Sequence, residues 1–375
     1  MKNKPAGLYI HVPFCLSKCA YCSFYSSSSL HLIDEFTKSI PREMAFYKNI
    51  FPSFDTIYIG GGTPSLLSVA QVHDILLAIH FNFQIHLQAE ITMEVNPGDA
   101  SQDYLQQLRA LGINRINIGI QSFDDTLLKF LGRRHSARSA LAAVEAARAA
   151  GFENLGMDFI YGVSGQTMDS WKQTLKTAVD LCAEHLSCYQ LSLDKKTPLH
   201  QRYLTEGLSL LTEDQALDYF LTTSQVLTDA GYTHYEVSNF ARTDSLKSRH
   251  NMKYWCHTPY LGLGPAAHTF LDHQRWWNKS SVEAYLKSIA GEMKPQEGFE
   301  KLSLEQLRLE AWFLGMRTKD GIDLAQFKTS YGCDLLTDKK PIIDELIRNR
   351  LVELTERHLH PTLAGMAVAD SLALI

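Results

Sequence analysis

The chain has 375 residues, 45% of them apolar and 21% charged, with a formal net charge of -5 at neutral pH. That length holds one large domain and a smaller one, each with its own core. The balance is that of an ordinary soluble protein, and the mild acidity leaves no basic footprint for nucleic acid or an anionic membrane. No apolar run reaches the roughly 18 residues of a membrane span, and Tyr9–Phe14 is too short for the apolar stretch of a signal peptide. A cytoplasmic protein without a membrane span is expected.

Six short β-rich runs follow one another along the first half: "LYIHV" (8–12), "DTIYI" (55–59), "EITMEV" (90–95), "RINIGI" (115–120), "NLGMDFI" (154–160) and "LSCYQLSL" (186–193). Helical patterns fall between and after them, near 32–48, 66–80, 100–111, 137–150, 170–183 and 213–229. The clearest, "SARSALAAVEAARAAG", opens on a capping serine and stops at Gly151. Strands alternating with helices imply βαβ units and a parallel sheet. Six strands fall short of the eight of a closed barrel, so the pattern predicts an α/β fold with an open, partial (β/α)6 barrel over residues 1–230.

The rhythm breaks near residue 230. Residues 231–300 are rich in aromatic residues, histidine and glycine and lack clean periodicity, which reads as a connecting segment. From 301 to 375 the pattern is helix, short hairpin around Glu356–His358, then helix, resembling a small winged-helix module. Its helices are not strongly basic, so a packing or lid role is expected rather than DNA binding.

Of the seven cysteines, Cys182, Cys188, Cys256 and Cys333 are scattered among apolar neighbours and read as small hydrophobes. Disulfides are not expected in a chain of this size without a secretory signal. Cys15-x3-Cys19-x2-Cys22 is different, because three thiolates on one loop can converge on an iron–sulfur cluster. Three protein ligands leave one iron of a four-iron cube open to a cofactor or substrate. The competing reading is a Cys3His zinc site, with His11 or His31 as the fourth ligand. The next strand runs into "GGGTPS", where Gly61, Gly62 and Thr63 suit close approach of backbone to a ligand at a helix start. Polar residues also gather at the C-terminal ends of the predicted strands: Tyr9, His11, Glu94, Asn96, Gln121, Asp158 and Gln190. That end of a parallel barrel is where active sites form.

These motifs resemble the radical S-adenosylmethionine (SAM) superfamily. Within it, "IGIQSFDD", "GRRH", "MDFIYGVSGQT", "GYTHYEVSNFA" and "LGLGPAAHT" are similar to the branch of oxygen-independent coproporphyrinogen III oxidases and HemW-type heme chaperones. The resemblance implies that Cys15, Cys19 and Cys22 hold a [4Fe–4S] cluster whose open iron binds SAM, with electron transfer splitting SAM into methionine and a 5′-deoxyadenosyl radical. It implies that Tyr9, Gly61 and Glu94 contact the cluster-bound SAM. Tyr21, Gly62, Thr63, Gln121, Arg133 and Asp158 match contacts to a second SAM in the oxidases. No residue is singled out as catalytic.

Two features separate the branches. The oxidases resemble CxxxCxxCxC, whereas this chain has Cys22-Ser23-Phe24, the form of the HemW-like proteins. "RHNMKYW" resembles an HNxxYW motif associated with heme binding there, which implies His250 as an axial ligand. The resemblance therefore implies a heme-binding SAM protein that hands heme to apo-hemoproteins and takes an electron from a donor. A porphyrinogen-decarboxylating oxidase is the alternative.

Overall fold

The computed structural model describes residues 4–372, so the outermost residues of the expected 1–230 and 301–375 units lie outside it. Six strands run parallel in chain order: β1 (Ala6–Val12), β2 (Phe54–Gly61), β3 (Ile85–Val95), β4 (Arg115–Gln121), β5 (Leu155–Tyr161) and β6 (His185–Gln190). The intervening helices are α1 (Ile33–Ala45), α2 (Val69–Asn82), α3 (Gln102–Ala110), α4 (Asp125–Leu131), α5 (Ala137–Ala149) and α6 (Met168–Asp180). Two more follow β6, α7 (Pro198–Glu206) and α8 (Glu213–Asp229). The helices start where the chain supplies side-chain caps. Ser68 and Gln71 form a reciprocal capping box at α2, and the Ser136 hydroxyl accepts from the Ser139 amide at α5.

The strands have two unlike faces, which places the site. Leu8, Ile10 and Val12 of β1, Ile116, Ile118 and Ile120 of β4, and Leu155, Met157 and Phe159 of β5 are buried against the helices. Each contributes about 1.5–3 kcal/mol on burial. The alternate residues line the inside of the curved sheet and are mostly polar: Tyr9, His11, Tyr58, Glu94, Arg115, Asn117, Asp158, His185 and Ser187. The register stacks them in layers, with Tyr9 beside Tyr58, Glu94 beside Asn117 and Asp158 beside Ser187.

The segment 231–300 does more than connect. It supplies β7 (Thr233–Glu236), β8 (Asn239–Ala241), α9 (Arg249–Trp255), β9 (Tyr260–Leu263), β10 (His268–Leu271), β11 (Gln274–Asn278), α10 (Val282–Ala290) and β12 (Gln296–Lys301). The whole sheet has 12 strands in the order β12–β11–β10–β9–β1–β2–β3–β4–β5–β6–β8–β7. β9 adds a seventh parallel strand beside β1, and β8 pairs antiparallel with β6, so the segment extends both edges of an open, mixed sheet. These strands are three to six residues long, too short for a clear two-residue alternation.

α9 lies across the N-terminal ends of β1 to β3. One Glu90 carboxylate accepts from the amides of Arg249 (3.2 Å) and His250 (3.1 Å), meeting the positive end of that helix. Lys253 Nζ reaches Asp55 at 2.6 Å and the Pro5 carbonyl at 2.8 Å. The open barrel is thus stoppered at its base.

The C-terminal module comprises α11 (Leu304–Gly315), β13 (Ile322–Asp323), α12 (Leu324–Tyr331), α13 (Leu335–Asp338), α14 (Lys340–Arg348), β14 (Val352–Leu354), β15 (His358–Pro361), α15 (Leu363–Ala367) and α16 (Ala369–Leu372). The hairpin falls where the sequence predicts it, and β13 makes it a three-stranded wing. Phe270 of β10 belongs to the module's core, and Arg275 grips Glu310 with two hydrogen bonds of 3.0 and 2.7 Å. The module is therefore fixed to the sheet extension.

Candidate functional site

Cys15, Cys19 and Cys22 sit on the loop after β1, all half-buried and facing a cavity of about 480 Å³ that runs down into the barrel. The loop is tied at both ends. Cys15 donates its amide to the Ser27 carbonyl (3.0 Å), and Ser27 donates back to Pro13 (2.6 Å). α4 and α7, which the sequence pattern does not single out, clamp it from outside: Ala20 donates to the Leu131 carbonyl, and its own carbonyl accepts from Leu199. Leu127, Leu131 and Leu199 form a small core against Ala20 and Tyr21. The signal for α4 was present in "SFDDTLLKFLG", where Asp124 caps the helix and Gly132 ends it in the left-handed region.

The glycine turn approaches the thiols from β2. Gly61 has φ of +114°, and a Cβ there would lie 2.7 Å from the His11 ring. A Cβ on Gly62 would lie 2.7 Å from the Phe14 carbonyl and 3.1 Å from Cys15 Sγ. Only glycine permits this cradle. Thr63 Oγ1 donates to Cys15 Sγ at 3.4 Å, and Arg133 Nη1 to Cys19 Sγ at 3.5 Å.

All the expected SAM contacts except Tyr9 line this cavity. Glu94 accepts from the Tyr58 hydroxyl (2.8 Å) and the Gly61 amide (3.1 Å). Burial pushes its carboxyl up to about 7, against the pull of these two donors. Tyr9 lies on β1, two strands from Glu94, with its hydroxyl 3.0 Å from His11 Nδ1. Gln121 ends β4 at φ of +66°, an uncommon conformation for a non-glycine residue, beside Arg133, whose Nη2 donates to the Gly119 carbonyl at 2.9 Å. Burial raises the Tyr21 hydroxyl and the Cys22 thiol. Asp158 faces in from β5 with Oδ2 2.5 Å from Asn117 Nδ2 and Oδ1 without a partner. Burial raises its carboxyl as well, opposed by Ser187 and Arg115.

His250 stands apart. It is fully buried in α9 at the barrel base, with Nδ1 2.9 Å from Thr56 Oγ1 and Nε2 2.9 Å from the Tyr254 hydroxyl. Burial pulls it down to about 3. Both nitrogens are engaged, so the axial-ligand role that the resemblance implies requires the imidazole to release Thr56 or Tyr254. His250 here ties α9 to β2. For the zinc reading, His11 is engaged at both nitrogens, by the Tyr9 hydroxyl and the Tyr25 carbonyl at 3.0 Å each, and His31 is exposed and does not line the cavity. Among the described residues, no three histidine, cysteine or carboxylate groups converge on a single ion.

Sequence reasoning missed Tyr58, Arg115, Asn117, His185 and Ser187, which line the same cavity. Their signal was the alternation of polar with apolar residues inside "DTIYI", "RINIGI" and "HLSCYQ".

The radical SAM superfamily profile matches residues 9–178, and the HemN C-terminal domain profile matches residues 302–368. The chain is 34% identical to the heme chaperone HemW of Lactococcus lactis over 99% of its length and 97% of that relative. The HemW of Bacillus subtilis is 31% identical over 97% of each chain. The chain belongs to the radical SAM superfamily, in its HemW branch. Among solved structures, the coproporphyrinogen III oxidase HemN of Escherichia coli superposes with a TM-score of 0.85, at 23% identity over all of this chain and 90% of that one. This likeness establishes the shared fold.

The residues fit the cofactors that membership brings. Three soft thiol ligands share one tethered loop, Thr63 and Arg133 donate to two of them, and a glycine cradle opens beside Cys15. A bound [4Fe–4S] cluster with SAM at its open iron supplies one-electron reductive cleavage of the sulfonium. The chain's own part would be to present the thiols and, as the resemblance implies, to set Glu94 and the Gly61 turn against the ligand.

Proposed function

We propose that this protein binds heme and delivers it to apo-hemoproteins, with cluster and SAM seated at the mouth of the barrel. The observation that carries the reading is the near full-length match to HemW relatives. Phe24 supports it: it stands where the oxidase motif has a fourth cysteine, and its ring is 67% exposed at the cavity rim. An exposed aromatic ring beside the mouth suits a flat, apolar macrocycle. The SAM contacts are Tyr9, Gly61 and Glu94, with Tyr21, Gly62, Thr63, Gln121, Arg133 and Asp158 as the outer set. Heme ligation is not assigned to His250 in its buried setting.

The partners in this reading are heme, an apo-hemoprotein acceptor and an electron donor, in the cytoplasm. No helix among the described residues is long and apolar enough to cross a membrane. The test is an anaerobic titration of cluster-loaded protein with hemin, followed by addition of apo-myoglobin, in parallel with incubation with SAM, reductant and coproporphyrinogen III. Stoichiometric heme uptake and transfer, without protoporphyrinogen, is expected. Protoporphyrinogen formation without heme uptake would overturn the reading in favour of the oxidase.

A further inference from the structure

The barrel encloses a guanidinium whose N–H groups the protein leaves without acceptors. Arg115 is the first residue of β4, at the end of the cavity away from the cysteine loop, and is 1% exposed. Neither its Nε nor its Nη2 meets an acceptor. A guanidinium withdrawn from water without a partner is strongly unfavourable.

The neighbouring anions do not resolve this. Glu90 is committed to the amides that open α9, and Glu94 to Tyr58 and Gly61. Asp158 gives one oxygen to Asn117 and feels Arg115 through space, but makes no hydrogen bond or ion pair with it. A second free donor lies a layer higher, where the guanidinium reaches: His185 pairs with Gly156, and Arg115 Nη2 comes within 3.4 Å of where a Cβ on Gly156 would stand. His185 is buried, with Nε2 2.7 Å from the Tyr235 hydroxyl. That hydroxyl accepts from the Ser248 amide, and His185 Nε2 is the acceptor in reach of its proton; with the hydroxyl donating, the ring hydrogen sits on Nδ1. His185 Nδ1 has no partner.

We propose that Arg115 and His185 form a carboxylate-binding subsite at the floor of the barrel, taking one carboxylate of a ligand seated above them. A guanidinium fork and a ring N–H are the donors that a carboxylate accepts best. Two molecules of the proposed function carry one: the tetrapyrrole on its propionates and a second SAM, distinct from the one at the cluster, on its methionyl group. The source of the carboxylate rests on that reading; the subsite itself does not.

The experiment uses the reconstituted full-length protein and the variants Arg115→Gln and Arg115→Lys, titrated anaerobically with hemin, hemin dimethyl ester and SAM. Arg115→Gln weakens binding of one free-acid ligand by about tenfold or more, the range of a lost charge-assisted pair, and Arg115→Lys keeps part of it. If the propionate is the source, wild-type protein prefers hemin to its diester, and Arg115→Gln abolishes that preference. If SAM is the source, Arg115→Gln loses SAM affinity and binds hemin normally. Wild-type protein that takes up no hemin refutes the heme reading, and the SAM titration then decides the subsite alone. In the absence of ligand, Arg115→Gln melts no lower than wild type, because it removes a buried guanidinium without acceptors. A folded Arg115→Gln that binds hemin and SAM as wild type does, or melts lower with both affinities intact, overturns the proposal.

Discussion

Glu94 joins the barrel wall to the glycine turn, taking the Tyr58 hydroxyl on one oxygen at 2.8 Å and the Gly61 amide on the other at 3.1 Å. Its carboxyl ionises near 7 because burial outweighs these two donors. A bound amine or ribose hydroxyl is held best by the ionised form. The affinity of the cluster-loaded protein for SAM should therefore strengthen between about pH 6 and pH 7.5, and equilibrium dialysis measures it. Glu94→Gln should weaken SAM by about tenfold and remove that dependence. A flat profile in the wild type would detach Glu94 from SAM.

Glu43 gives a second pH effect, away from the cavity. Its oxygens accept from the Gly264 amide (2.8 Å), Asn278 Nδ2 (2.5 Å) and the Tyr285 hydroxyl (2.7 Å), linking α1 to the β9–β10 turn and α10. Burial raises it from 4.5 to about 7. The folded state then holds a proton that the unfolded chain releases. Glu43's contribution is full below 4.5 and is lost as pH rises to about 7, by up to about 3 kcal/mol. Melting temperature should fall over that interval, and Glu43→Gln should flatten the fall. An equal slope in the variant would contradict this.

The three loop cysteines and the other four should separate cleanly in iron analysis. Alanine at Cys15, Cys19 or Cys22 should abolish iron retention after anaerobic reconstitution. Cys333 is buried in the C-terminal module and Cys182 is exposed at the end of α6, so Cys333→Ala and Cys182→Ser should load fully. Retained iron in Cys19→Ala would remove the assignment.

The parallel core was legible because β1 to β6 and their helices each carry a strong local signal, apolar on the helix-facing side and capped at the helix starts. The site was legible for a related reason. Cysteines at fixed spacing, a run of glycines and polar residues at strand ends need no tertiary information. Short elements were harder. β7 to β11 take their meaning from the sheet edges they pair with, and α4 and α7 gain theirs from the cysteine loop they clamp. Inward-facing Arg115 and His185 look from sequence like any polar residue in a strand, and only the fold shows that the Arg115 side chain reaches the layer of Gly156, with which His185 pairs. His250 shows the reverse case, a motif residue whose polar sequence neighbours suggested exposure, whereas Glu90 and Thr56 draw it into the barrel base.

That placement makes His250→Ala the sharpest separation of structure from ligation. The substitution removes hydrogen bonds to Thr56 and Tyr254 and leaves a void beside Tyr58, whose ring stacks on the imidazole at 5.2 Å. Loss of a buried, doubly bonded side chain costs about 2–4 kcal/mol. Urea unfolding should show that loss in the cluster-free protein. His250→Gln, which retains both donor and acceptor, should recover part of it. Hemin titrations, normalised to folded protein, should give one affinity for wild type and both variants. If His250→Gln matches the stability of wild type but loses hemin, the imidazole must leave Thr56 or Tyr254 to reach iron. α9 would then be a moving part of heme transfer rather than a fixed stopper.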